Sequence, residues 1–240
     1  MPVQSLALAV AGVAVITPTM LHSTSSHSTS SQAHSPSPVA QQGGSVGSVG
    51  AADLLAEVRD CTPVSRGKYR SDQGAPATIP VCGTDDAVFW KADMDIDCDG
   101  RPSVRCSTAT DPYFSPSTAF AQSDGRPLNS ATLPFVVVPA PSALWDYRAH
   151  GVRGGSVVAV VYGDQVQYAV VGDTGPAGII GEASYATAEA LGIDPDPLSG
   201  GTSSGVTYIV FKDSRVTPIE DRKAAVATGE ELARRFVNGD

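Results

Sequence analysis

What the sequence lacks restricts it before what it contains. Residues 1–52 hold no Asp, Glu, Lys or Arg, so all 25 acidic and 16 basic residues fall in 53–240. That stretch carries the whole net charge of −9. It is long enough to bury a core of its own. Basic residues are too few and too outnumbered for a nucleic-acid partner, whose affinity comes from clustered Lys and Arg. An acidic domain suits a neutral or cationic partner instead. Histidine is scarcer still: His22, His27 and His34 lie in the uncharged leader, and only His150 remains beyond it. Mechanisms that need two histidines, including most zinc-hydrolase patterns, are excluded. A Ser/His/Asp triad survives only on paper, because no G-x-S-x-G elbow is present and His150 lies in a loop-like stretch. There is also no C-x-x-C pair, no G-x-G-x-x-G after a strand, no internal repeat and no βαβ rhythm.

The leader is read in two parts. Residues 1–21 contain the apolar run SLALAVAGVAVITPTML and are expected to be an export signal, although no basic residue precedes the run. Seventeen residues interrupted by Pro18 are short for a membrane span, so no stable membrane association is expected. Residues 22–50 include ten Ser and four Gly and no charge, the composition of a flexible linker. Ordered structure is expected from Ala51. In an exported chain the four cysteines, Cys61, Cys82, Cys98 and Cys106, suggest two disulfides. Three connectivities are open. We favour the local loop Cys98–Cys106, with Cys61–Cys82 as the second bridge.

The rest reads as short β-rich runs punctuated by Gly, Pro and Asp: 87–93, 135–139, 156–163, 166–173 and 206–212. The third and fourth flank Gly163-Asp164, a hairpin signature. Helices are expected near 51–59, at 183–192 with Gly192 as C-cap, and at 219–236 with its charges arranged as a helix dipole prefers. The fold class is mainly β, mixed or antiparallel, a small barrel with a few peripheral helices.

Two segments carry candidate chemistry. In ADMDIDCDG, Asp93, Asp95, Asp97 and Asp99 alternate with Met94, Ile96 and Cys98, so an extended chain places four carboxylates on one face. Such a row needs compensating positive charge or is a solvated edge. A calcium loop starting at Asp95 fails, since its twelfth position is Cys106 and not a bidentate Glu. In GDTGPAGIIGEAS, Asp173 ends a strand and Glu182 follows a tight turn where a helix is expected to begin. Two carboxylates there can do general acid/base work. Equally, Asp173 can be a turn former and Glu182 a residue favoured by a helix N-terminus.

Together KYRSD, VFWKADMDIDCDG, LPFVVVP, VVAVVYG, YAVVGDTGPAGIIGEASYATAEALGI and GVTYIVF, in order over about 53–213, resemble the fungal-type chitosanases of glycoside hydrolase family 75, which also occur in actinobacteria. The resemblance implies a catalytic domain at 51–213, with 214–240 as a helical extension outside it. It implies endo-hydrolysis of chitosan with inversion, and it matches the family's two essential carboxylates to Asp173 and Glu182. The D-T-G…I-x-G run is also similar to double-psi β-barrels, which points to six strands. Candidate substrate-binding residues are Asp93, Asp95, Asp97, Asp99, Lys91, Thr174, Trp90 and Tyr162, with Trp145 and Tyr147 as further candidates for stacking on sugars. Glu182 is assigned as general acid and Asp173 as base, the pair being firmer than the order. No cofactor or metal is expected, and a secreted monomer is the default. Two alternatives stay open: a peptidoglycan-cleaving barrel enzyme and a non-catalytic cell-wall carbohydrate-binding barrel.

Overall fold

The computed structural model describes residues 49–239. The expected signal and nearly all of the expected linker lie outside them. Chain order is α1 (Ala51–Glu57), β1 (Cys82–Gly83), β2 (Ala87–Asp97), β3 (Phe135–Pro139), β4 (Val157–Tyr162), β5 (Gln165–Gly175), β6 (Glu182–Ser184), α2 (Tyr185–Ala190), β7 (Thr202–Phe211) and α3 (Arg222–Asn238). A 3-10 turn at Tyr147–His150 contains His150.

Six strands close on themselves in the order β2-β6-β3-β5-β4-β7, and β7 pairs back onto β2. Closure removes the unpaired edges that an open sheet would leave. Strand β1 adds to β2 outside the ring. Two pairings are parallel, β2 with β6 and β3 with β5; the others that close the ring are antiparallel. The β4–β5 hairpin turns at Gly163-Asp164, with Tyr162 opposite Gln165.

Alternation along the strands sorts the core. Val88, Trp90, Ala92 and Met94 of β2 join Val136, Val138, Val158, Val160, Ala169, Val171 and Tyr208 in one cluster, which fills the barrel. The opposite parity, Phe89, Phe135, Val157, Ala159, Tyr168 and Val170, packs against α1 and α3. Helix α3 begins three residues later than expected. The Asp221 carboxylate caps it, accepting from Ala224 N–H at 2.9 Å. Its Gly229 lies against the Tyr168 ring, and Phe236 meets Phe211 edge-on at 5.8 Å. The helix is therefore packed into the same body as the strands. Cys61 pairs with Cys82, and Cys98 with Cys106. The first bridge ties the segment after α1 to β1, and the second closes the loop that follows β2. Among the described residues no helix is long and apolar enough to cross a membrane.

Candidate active site

Strand β2 carries Asp93, Asp95 and Asp97 of the acidic row, and Asp99 lies just beyond its end. Lys91 and Asp95 are exposed and Asp97 is half-buried, while Met94 and Ile96 turn to the barrel filling. Glu182 is not at a helix start. It opens β6, a three-residue strand lying parallel to β2 with Glu182 opposite Asp95. The helix begins only at Tyr185, because Ser184 acts as its N-cap and accepts from Thr187 N–H at 3.3 Å. Two partner strands for 182–184 outweigh the helical pattern read in 183–192.

Asp173 reaches the same face through a bulge. Val136 pairs with Val171, but Val137 pairs with Asp173, so Gly172 is the extra residue of β5. Without the bulge, regular alternation would give Asp173 the parity of Val171 and point it into the barrel. Gly172 is required by contact: a Cβ there would stand 2.5 Å from Phe135 Cβ and 2.8 Å from Leu128 Cδ1. At Gly175 a Cβ would stand 2.6 Å from Glu182 Oε2, so the Glu182 carboxyl leans across β3 toward the end of β5.

The result is one cavity of about 330 Å³ whose walls include Asp97, Asp99, Asp111, Asp173, Thr174 and Glu182, with no Lys or Arg among its lining residues. Carboxylate oxygens of Asp97, Asp99 and Asp173 lie within 4.8 Å of one another, close enough to surround a single cation. Backbone donors partly compensate. Asp173 Oδ1 accepts from Ala119 N–H and Thr174 N–H, both at 2.7 Å. Asp97 Oδ1 accepts from Asp99 N–H at 2.7 Å, and Asp99 Oδ1 from Ser115 N–H at 2.7 Å. Glu182 alone of the four accepts no hydrogen bond from the described residues. Burial, then the charges of Asp95, Asp173, Asp99 and Asp93, push its carboxyl up to about 7. Asp173 is also raised by burial, but its two backbone donors act against the shift. Burial likewise holds Asp97 well above the usual carboxylate range.

Asp93 and Asp95 do not line this cavity. They gather with Asp72, their carboxylate oxygens within 4.8 Å of one another. Thr174 lies in the wall, but Lys91 and Tyr162 do not. The structure overturns Trp90 as a sugar-stacking residue. It is fully buried, stacked on Tyr208 at 5.2 Å between ring centroids, inside the barrel. Trp145 and Tyr147 are buried too. The aromatic that faces the cleft is Tyr113, 90% exposed. Sequence reading also missed Asp111, buried in the cavity wall, and Asp72. All three sit in irregular segments, where no periodicity marks a side chain's direction. His150 rests beside Trp145, away from the cleft.

Comparison with known proteins fits this arrangement. Residues 94–236 match the family described as fungal chitosanase of glycosyl hydrolase group 75. The match runs through most of α3, beyond the end of the resemblance read from the sequence. An endo-chitosanase of Aspergillus fumigatus is 36% identical over 174 residues, covering 66% of this chain and 73% of its own length. An endo-chitosanase of Aspergillus oryzae is 33% identical over 140 residues, covering 53% of this chain and 56% of the relative.

Proposed function

We infer the reaction from one premise: the chain belongs to the chitosanases of glycosyl hydrolase group 75. It is a glycoside hydrolase. We propose that it cleaves β-1,4 linkages inside chitosan with inversion, as an extracellular enzyme. Two disulfides agree with an oxidising compartment. Glu182 protonates the leaving glycosidic oxygen. Asp173 takes a proton from the water that attacks the anomeric carbon from the opposite face. The bond between that carbon and the leaving oxygen breaks as the water oxygen bonds to it.

The observation that carries this reading is the contrast between the two carboxyls in one cleft. The Glu182 carboxyl accepts no hydrogen bond from the described residues and is pushed up to about 7, so it holds a proton where an acid must. Asp173, with two backbone N–H donors, is the better carboxylate. Strand β3 lies between β5 and β6, which sets their backbones roughly 9–10 Å apart. Strands at that spacing are compatible with the roughly 6.5–9.5 Å between carboxyl groups that leaves room for the inverting water. The net charge of −9 suits a polymer of protonated amines.

Reducing-end assays on chitosan, carboxymethylcellulose and peptidoglycan test the substrate. Cleavage of chitosan alone is expected; cleavage of peptidoglycan alone would replace the reading with the cell-wall hydrolase, and no cleavage would favour a binding barrel. Asp173→Asn and Glu182→Gln, each folded by circular dichroism, should each lose at least roughly 10²-fold in rate. An activated aryl glycoside separates the roles. Glu182→Gln should retain much of its rate on it, and Asp173→Asn should not; the opposite pattern would exchange acid and base.

A further inference from the structure

The Asp173 carboxylate takes one of its two backbone donors from its own strand and the other from a distant segment. Thr174 N–H is the neighbouring group, held by the register of β5 with β3. Ala119 N–H comes from the stretch between β2 and β3, 54 residues earlier in the chain. No helix or strand contains Ala119, and its own side chain is exposed. Contacts made by its neighbours must therefore aim the N–H.

Thr118 supplies the main one. Its hydroxyl accepts from Leu128 N–H at 3.0 Å and donates to Phe120 O at 2.6 Å. One hydroxyl thus brackets Ala119 on both sides and fastens the bracket to Leu128. Leu128 is a firm anchor. It is fully buried, and its carbonyl accepts from Arg101 N–H at 2.7 Å. Its side chain lies against Gly172, the extra residue of the β5 bulge. On the far side of Ala119, the Phe120 ring lies over Gly154, where a Cβ would overlap it.

An N–H aimed at a carboxylate favours its charged form. Little else around Asp173 does. The titratable groups facing it are Asp97 on β2, Asp99, Asp111 and Tyr113 from the segment after β2, and Glu182 on β6. Strand β3 and residues 115–120 bring no charge. Burial raises the Asp173 carboxyl, and the N–H groups of Ala119 and Thr174 oppose that rise. Losing Ala119 N–H would leave one donor against burial and a ring of acids.

We propose that Thr118 is a positioning residue for the catalytic base: its hydroxyl holds Ala119 N–H on Asp173 and keeps that carboxyl ionised into the acidic range. Thr118 acts through Asp173, so the proposal rests on the reading of Asp173 as the group that takes a proton from water.

Two measurements on the full chain test it. The acidic limb of kcat/KM against pH on chitosan reports the base in the free enzyme. Thr118→Val removes the hydroxyl at similar volume. It should move that limb up by about one pH unit, the scale of one hydrogen bond to a charged group. The alkaline limb should stay in place, and Thr118→Ser should restore the parent profile. Titration of the substrate amines is common to all three proteins and cancels in the comparison. Thr118→Val that melts earlier but keeps the parent limb makes Thr118 a structural residue only and overturns the proposal. Thr118→Ser shifted as far as Thr118→Val overturns it too, because the hydroxyl would not be what counts. A shift of the alkaline limb alone would overturn Asp173 as base and make it the acid. The second measurement uses the parent chain and so does not depend on a variant folding. By NMR, the Ala119 amide proton should follow a carboxyl titration in step with that of Thr174, at the pH of the acidic limb. An Ala119 amide that does not titrate overturns the proposal. Amides of Ala119 and Thr174 that titrate together in a chain that leaves chitosan uncut would overturn the hydrolase reading instead.

Discussion

Glu182 illustrates how one side chain takes its chemistry from its neighbours. Its carboxyl is raised to about 7 by burial first and by four surrounding carboxylates next. The unfolded chain ionises the same group near its ordinary value of 4.5. Between these values the folded protein binds more protons than the unfolded one, so folding stability falls as pH rises. The stabilising condition is fully present below about 4.5 and lost through about 7, and Asp93 shifts the same way. Thermal melts are therefore expected to give a lower Tm at pH 7.5 than at pH 5, and Glu182→Gln should reduce the difference. Equal slopes in parent and variant would show that Glu182 keeps its ordinary ionisation. Activity should follow a bell: it is lost at high pH as Glu182 gives up its proton and at low pH as Asp173 gains one. Some of the candidate site was legible at the residue scale. Residue type and order offered the acidic row and Asp173 and Glu182 as candidates, the family resemblance paired the last two, and both line the one cavity. The direction of Trp90 did not, because an aromatic in a strand can face the barrel or the cleft and only the register decides.

At the scale of elements, the bulge in β5 does what no propensity predicts. It changes the parity of Asp173, and Gly172 has no space for a side chain. Gly172→Ala should force β3 and β5 apart, at a cost of about 1–3 kcal/mol typical of overpacking. The rate should fall at least tenfold while the fold persists; denaturant melts and chitosan kinetics measure the two effects. An active Gly172→Ala enzyme would mean that the bulge does not set the geometry. The loop closed by Cys98–Cys106 adjoins Asp97 and Asp99, whereas Cys61–Cys82 lies at β1. Removing either bridge by paired Cys→Ser changes should cost about 2–5 kcal/mol. Only loss of Cys98–Cys106 should also raise KM for chitosan beyond what its stability loss explains, measured well below Tm.

For the whole molecule, the net charge of −9 acts at a distance that ionic strength controls. Raising salt from about 0.1 M to 1 M shortens the Debye length from about 10 Å to about 3 Å. KM for chitosan should rise several-fold over that range, with kcat changing less. A flat KM would remove electrostatic attraction from the account. Activity should survive EDTA, since ammonium groups of the substrate can compensate the carboxylates. Loss in EDTA with recovery on adding calcium would assign Asp97, Asp99 and Asp173 to a metal.

Composition and alternation in the sequence alone were enough to indicate a β-rich domain and to place five of its strands within a few residues. These properties are local: apolar periodicity, turn residues and charge count do not depend on what the chain later packs against. Tertiary structure decided the rest. Strand β6 exists because Glu182–Ser184 find β2 and β3 on either side, against a local pattern that reads as helix. The row of four aspartates divides into two groups of carboxylates because Asp72 and Asp173 approach it from distant segments. Asp173 faces the cleft because closure of the barrel fixes a register with one residue to spare. Pairings between segments far apart in the chain set which face each side chain takes, and no window of sequence contains both partners.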